Sequence, residues 1–170
     1  MFPLIYSCYP EKEREESEMT YEIVTLQEKK AVGVSARTSN SAPDMSKVIG
    51  GLWQKLFYGG VYPAIEHKAN EKALGIYTDY ASGAEGDYTA AAVCEVEKAE
   101  NLPEGTDVFT IPAGRYAKFV VKGDMHQAVA DFWSEFQKMD LPRSYVCDFE
   151  EYQDDNMEET EIHIYIGLRD

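Results

Sequence analysis

A chain of 170 residues with 44% apolar content suffices for one domain with its own core, and it carries no run of ~20 apolar residues that could span a membrane. Its 31 acidic against 16 basic residues leave a formal charge of -15, which repels DNA and anionic lipid surfaces and attracts cations. Cys8, Cys94 and Cys147 stand far apart with no CxxC pair and no histidine cluster, which argues against a disulfide framework, a zinc site or another bound cofactor and fits a cytoplasmic protein.

Residues 1–20 read as an acidic tail: Glu11–Glu18 is nearly all charged, and the apolar start is too short, and lacks the basic flank, for export. The folded domain is expected over residues 21–170. Tyr21–Leu26 and Lys30–Thr38 read as strands with a turn at Gln27–Lys29. A helix follows, with Ser41 and Asp44 at capping-box spacing, Pro43 in its first turn, and Met45, Val48, Ile49, Leu52 and Leu56 on one face. Gly59-Gly60 ends it. Ala73–Tyr80 and Asp87–Val96 are the next strands, joined by a glycine-containing hairpin.

The second half repeats this plan. Strands Thr106–Ile111 and Arg115–Lys122 flank Pro112-Ala113-Gly114, and Asp124 with Gln127 caps a helix bearing Met125, Val129, Phe132, Phe136 and Met139. Leu141-Pro142 ends that helix, and Tyr145–Tyr152 and Thr160–Leu168 close the chain as strands. The order β-β-α-β-β, twice, makes an α+β protein with a curved antiparallel sheet, in which Trp53 matches Trp133 and Tyr88 matches Glu161.

In the last strand Glu161, His163, Tyr165 and Gly167 alternate with Ile162, Ile164, Ile166 and Leu168. The oily set must pack on the helices, which turns Glu161 and His163 to the opposite face of the sheet. That face is either solvent, with Glu161 and His163 as a surface ion pair, or a pocket in which Glu161 attracts a cation or acts as a base. Periodicity leaves both readings open. Tyr77, Tyr88, Tyr116 and Tyr145 on strands, and Trp53 beside Gly50-Gly51 on the first helix, are either half-buried fillers or rings for stacking and cation–π contact. The acidic stretch of Glu150, Glu151, Asp154, Asp155, Glu158, Glu159 and Glu161 lacks the order of a calcium loop and reads as a solvated hairpin. Neither a phosphate-cradling loop nor a nucleophile elbow occurs.

The run Thr160-Glu161-Ile162-His163-Ile164-Tyr165-Ile166-Gly167-Leu168 resembles the closing strand of GyrI-like proteins, typically T-E-x-x-I-Y-I-P-[IV], with Gly167 in place of the usual proline. Leu52-Trp53, Gly75-Ile76-Tyr77, Gly86-Asp87-Tyr88-Thr89, Ile111 to Ala117, Leu141-Pro142 and Asp148-Phe149-Glu150 resemble the family in the same order, so the likeness runs from Tyr21 to Leu168. The resemblance implies the fold of AraC-type effector-binding domains: a pseudo-twofold duplicated sheet with two helices on one face and a ligand groove on the other. It further implies a pocket for lipophilic, cationic or aromatic drugs, with Glu161 at the position of the family's buried glutamate. Two other activities of the family enter as alternatives: hydrolysis of cyclopropane-bearing electrophiles, with Glu161 as base, and an interaction with DNA gyrase. Residues before Tyr21 are too few and too acidic for a helix-turn-helix, so direct nucleic acid binding is not expected.

Overall fold

The computed structural model describes residues 19–154 and 156–169. Of the tail expected over residues 1–20, residues 1–18, with Cys8, lie outside the described residues, as do Asp155 and Asp170. In chain order the elements are β1 (Glu22–Leu26), β2 (Lys29–Ser39), α1 (Met45–Tyr58), a short α2 (Val61–Ala64), β3 (Ala73–Thr78), β4 (Asp87–Val96), β5 (Asp107–Ile111), β6 (Gly114–Gly123), α3 (Met125–Phe136), β7 (Arg143–Tyr152) and β8 (Thr160–Leu168). The fold is α+β, one antiparallel sheet of eight strands with helices packed on it. None of the helices among the described residues is long and apolar enough to cross a membrane.

The strands lie in the order β1-β6-β8-β7-β3-β4-β2-β5. The strand pairs on either side of Gln27–Lys29 and Pro112–Gly114 do not fold back on each other as hairpins. Instead β1 crosses to β6, with Glu22 opposite Lys118, and β5 crosses to β2, with Ile111 opposite Lys29. Exchanging the two halves of the chain leaves the strand order unchanged, read from the other edge. Each half therefore completes the other's sheet, and the central seam is β3 against β7, with Gly75 opposite Glu150.

Both faces of the sheet are covered with apolar side chains. On the helix face, α1 sits over Val32, Val34, Ala90, Ala92 and Cys94, and α3 over Ala117, Phe119, Ile162, Ile164 and Ile166. The alternation of β8 thus points its isoleucines at α3, as the sequence predicts. On the far face, Ala31, Leu74, Ile76, Ala91, Val93, Tyr116, Phe149 and Tyr165 form a cluster of their own. That second cluster explains why β4 and β7 read as nearly continuous buried strands.

The helix caps differ. Asp124 accepts hydrogen bonds from the backbone N–H groups of His126 (3.1 Å) and Gln127 (3.0 Å), as its spacing predicts. Asp44 holds the cap position of α1 without a side-chain cap, and Ser41 Oγ instead meets Ser39 Oγ at 3.3 Å. Two glycines follow α1: Gly59 caps it, and Gly60, at φ 83, turns the chain into α2, a left-handed position suited to glycine.

Phe119 anchors α3, packing within 5.1 Å of the Phe132 ring centroid and 5.8 Å of Phe136. Phe119→Ala is expected to destabilise the fold by about 3–5 kcal/mol in urea titration. A loss under about 1 kcal/mol would show that α3 does not depend on this contact.

Candidate functional site

Glu150 lies on β7, at the seam of the two halves, and its side chain faces the helices between the α1 and α3 clusters. It is 1% exposed. Tyr77 Oη donates to Oε2 at 2.9 Å, Trp133 Nε1 donates to the same oxygen at 2.8 Å, and Tyr152 Oη donates to Oε1 at 2.8 Å. Each of these donors is neutral. Among the described residues no basic group pairs with this carboxylate. Burial raises the Glu150 pKa, and the three hydrogen bonds from Trp133, Tyr152 and Tyr77 offset part of that rise.

The opposite wall is made by glycine. A Cβ on Gly75 would stand 3.1 Å from Glu150 Oε1 and 3.2 Å from Trp53 Cζ2, so only a residue without a side chain lets carboxylate and indole approach here. Above it opens a cleft lined by Ile49, Leu52, Trp53, Gly75, Tyr77 and the Ala90–Ala92 stretch. Its free interior space is about 10 Å³, room for about one water. Drug-sized sites hold ~300–1,000 Å³, so any drug-sized ligand requires α1 or its Trp53 ring to move outward. Trp53 stacks on the half-exposed Phe57 at 5.9 Å and meets Tyr152 edge-on at 5.2 Å, which makes an aromatic run from the surface to the carboxylate.

A second buried carboxylate sits two residues earlier on the same strand. Asp148 accepts from Arg143 Nη2 at 2.7 Å, from Tyr80 Oη at 2.5 Å and from the Gly167 N–H at 2.8 Å. Here the charge is matched by a guanidinium. Between the two carboxylates runs a wall of tyrosines: Tyr145 to Tyr80 (5.8 Å), Tyr80 to Tyr88 (5.8 Å) and Tyr88 to Tyr77 (5.9 Å).

Of the residues singled out from sequence, Trp53 and Tyr77 border the cleft, and Tyr88 and Tyr145 belong to the tyrosine wall. Tyr116 lies on the far face, packed on Phe149 and donating to the Pro112 carbonyl at 2.6 Å. Glu161 and His163 also lie away from the helices. Their side chains meet at 2.6 Å, with Lys122 at 3.9 Å from Glu161, and the Glu161 carboxylate is 40% exposed. The hydrogen bond from His163 holds the Glu161 pKa below the usual carboxylate range. Glu161 therefore stands in a surface ion-pair network, and the cleft is on the helix face rather than opposite it. The matching of Tyr88 with Glu161 pairs residues on opposite faces of the sheet. Glu150 and Glu151 are buried, not parts of a solvated hairpin. The signal for Glu150 was the Asp148-Phe149-Glu150 stretch in a strand whose apolar partners, Cys147 and Phe149, already fill the far face. Among the described residues no group of three or more potential ligands could hold a metal ion.

An acid whose pKa is raised by folding favours the folded state below its unfolded pKa and loses that contribution as pH rises through the folded pKa. Glu150→Gln, which removes the charge and keeps an acceptor for Tyr77 and Trp133, is therefore expected to raise Tm at pH 8 while leaving Tm near pH 4 almost unchanged. An equal or lower Tm at pH 8 would show that the buried charge costs the fold nothing.

The fold is shared with solved structures. An integron cassette protein from the mobile metagenome of Vibrio cholerae is 26% identical, with a TM-score of 0.73, covering 88% of this chain and 95% of its own. SAV2435, solved bound to tetraphenylphosphonium, is 22% identical, with a TM-score of 0.69 and coverage of 87% and 94%. The EcmrR C-terminal domain is 13% identical, with a TM-score of 0.53 and coverage of 89% and 98%. No curated protein matches the chain. The sequence model of Cass2, the integron-associated effector binding protein, matches residues 22–168. The chain thus belongs to the integron-associated effector-binding protein family.

Proposed function

We propose that the protein binds lipophilic aromatic monocations in the cleft between α1 and the sheet, with Glu150 as the counter-charge. The observation that carries this reading is a buried carboxylate held by three neutral donors, one of which, Tyr77, also lines the adjoining cleft together with Trp53. A carboxylate in such a place lacks a partner of opposite charge, and a cation with an apolar surface supplies it without bringing water. Trp53 and Tyr77 add the electron-rich ring faces that attract such a cation. SAV2435, which shares this fold, binds an ion of that kind, tetraphenylphosphonium. Sensing or sequestration of such compounds in the cytoplasm is the corresponding role, in keeping with an effector-binding family. In this reading Glu161 is not the ligand's partner.

Both tryptophans of the chain lie beside Glu150, so their fluorescence reports on the site directly. Tetraphenylphosphonium is expected to change that fluorescence saturably, and Glu150→Gln to weaken binding by about thirtyfold or more, the effect of truncating a buried charge pair by 2 kcal/mol or above. Glu161→Gln should leave the affinity within about twofold, as for an exposed pair. Because the cation requires the ionised carboxylate, affinity should fall as pH drops through the raised Glu150 pKa, with one proton released per cation bound below it. Equal affinity of wild type and Glu150→Gln sinks the proposal.

A hydrolytic reading draws on the same group. Glu150 as base, with the Tyr77 or Tyr152 phenol as proton donor at 2.9 and 2.8 Å, is an arrangement suited to opening a strained ring with water. Chromatography of a cyclopropane-bearing electrophile incubated with the protein should then show the ring-opened product, lost in Glu150→Gln. Turnover at the uncatalysed rate removes this reading. For a gyrase partner the support is the net charge alone.

A further inference from the structure

We propose that Arg143 sets the charge selectivity of the Glu150 site: by neutralising Asp148 it limits the Asp148 and Glu150 carboxylates to one net negative charge, so that the cleft favours aromatic monocations over dications. The inference rests on the cation-binding reading above and deepens it. Asp148 and Glu150 are two residues apart on one face of a strand, about 7 Å between Cα atoms. Both are fully buried, at 0% and 1% exposure. Water therefore does not screen one from the other, and tyrosine rings fill the space beside them.

The pair is built to keep Arg143 in place. Its Nη2 reaches Asp148 at 2.7 Å, and its guanidinium lies over the rings of Tyr145 at 4.3 Å and Phe136 at 5.1 Å. Arg143 Nε is buried without a hydrogen-bond partner, so the residue is held here by charge and ring stacking at the expense of one donor. Tyr145, at φ 55, adopts the left-handed backbone at the irregularity between Arg143 and Asp148 that lets the arginine fold back onto the aspartate. The groups that face Asp148 are Arg143 and Tyr80, and those that face Glu150 are Tyr77, Tyr152 and Trp133, so Arg143 is the one positive group in the set. Removing it would leave two carboxylates for the ligand to answer. Removing the aspartate charge alone would leave the arginine to oppose any cation.

The test compares ethidium, a monocation, with propidium, which carries the same ring system and a second quaternary ammonium, on the full chain at constant ionic strength. Asp148→Asn should weaken ethidium by roughly tenfold or more and propidium further, since an unmatched charge acts across a dry interior at low effective dielectric. Arg143→Gln should shift the propidium-to-ethidium preference towards propidium by at least roughly tenfold. The double variant R143Q/D148N, a neutral pair of nearly the same shape, should return the wild-type ratio, and it decides the question with Asp148→Asn should Arg143→Gln fail to fold. If ethidium binds and depends on Glu150 but all three variants keep the wild-type affinities and ratio, the selectivity proposal is overturned while the cation-binding reading stands. If wild type binds neither dye nor tetraphenylphosphonium, both fall together.

Discussion

An ionisable group at the centre of a protein has to be answered by something, and here Glu150 is answered only by hydroxyls and an indole. That constraint organises the middle of the molecule. Tyr77, Tyr152 and Trp133 come from β3, β7 and α3, and all three converge on one carboxylate. Trp53 of α1 closes from the other side, over a glycine that leaves room for nothing larger. A core built for stability alone would place a leucine at this position and give the tyrosines to the surface. Neutral donors arranged around one carboxyl group offset part of the cost of burying its charged form, and its pKa stays raised.

The topology explains how such a point arises. Because β1 and β5 exchange between halves, neither half has a closed sheet of its own, and β3 and β7 meet at the middle of the eight-stranded order. Glu150, on that seam and facing the helices, belongs to neither of the two helix-covered clusters. The cleft opens beside it, between α1 and strands β3 and β4. Apolar residues pack each helix onto its own half, and the polar residues are concentrated between them.

Asp148 and Glu150 show two ways of keeping a carboxylate in the dry interior. The first is matched internally, by a guanidinium stacked on two rings, and its role is confined to the protein. The second has only neutral hydrogen-bond donors around it among the described residues. Their closeness on one strand couples them electrostatically, so the Arg143–Asp148 pair, which reads as purely structural, bears on the charge at Glu150.

Much of this was legible in the residues themselves. Strand alternation and helix periodicity are local properties, and they determined eight strands, the two long helices, the Asp124 cap and the direction of the isoleucines on β8. The strand order was not legible, because a turn of two or three residues such as Gln27–Lys29 is compatible both with a hairpin and with a crossing to another strand. Nor was the choice between acidic residues. Glu161 and Glu150 sit in strands with the same alternation of apolar and polar positions, and period alone says only that each points opposite to its apolar neighbours. What separates them is which strand has both its faces covered. On β8 the polar phase reaches the sheet's far side, where Glu161 meets solvent, His163 and Lys122. On β7 the apolar phase fills the far side, and the polar phase is turned under the helices. The sequence by itself determined that the polar phase of each strand carries a carboxylate; tertiary packing decided that Glu150 is buried and Glu161 is not, because burial is a property of the neighbours that a strand acquires and not of the strand.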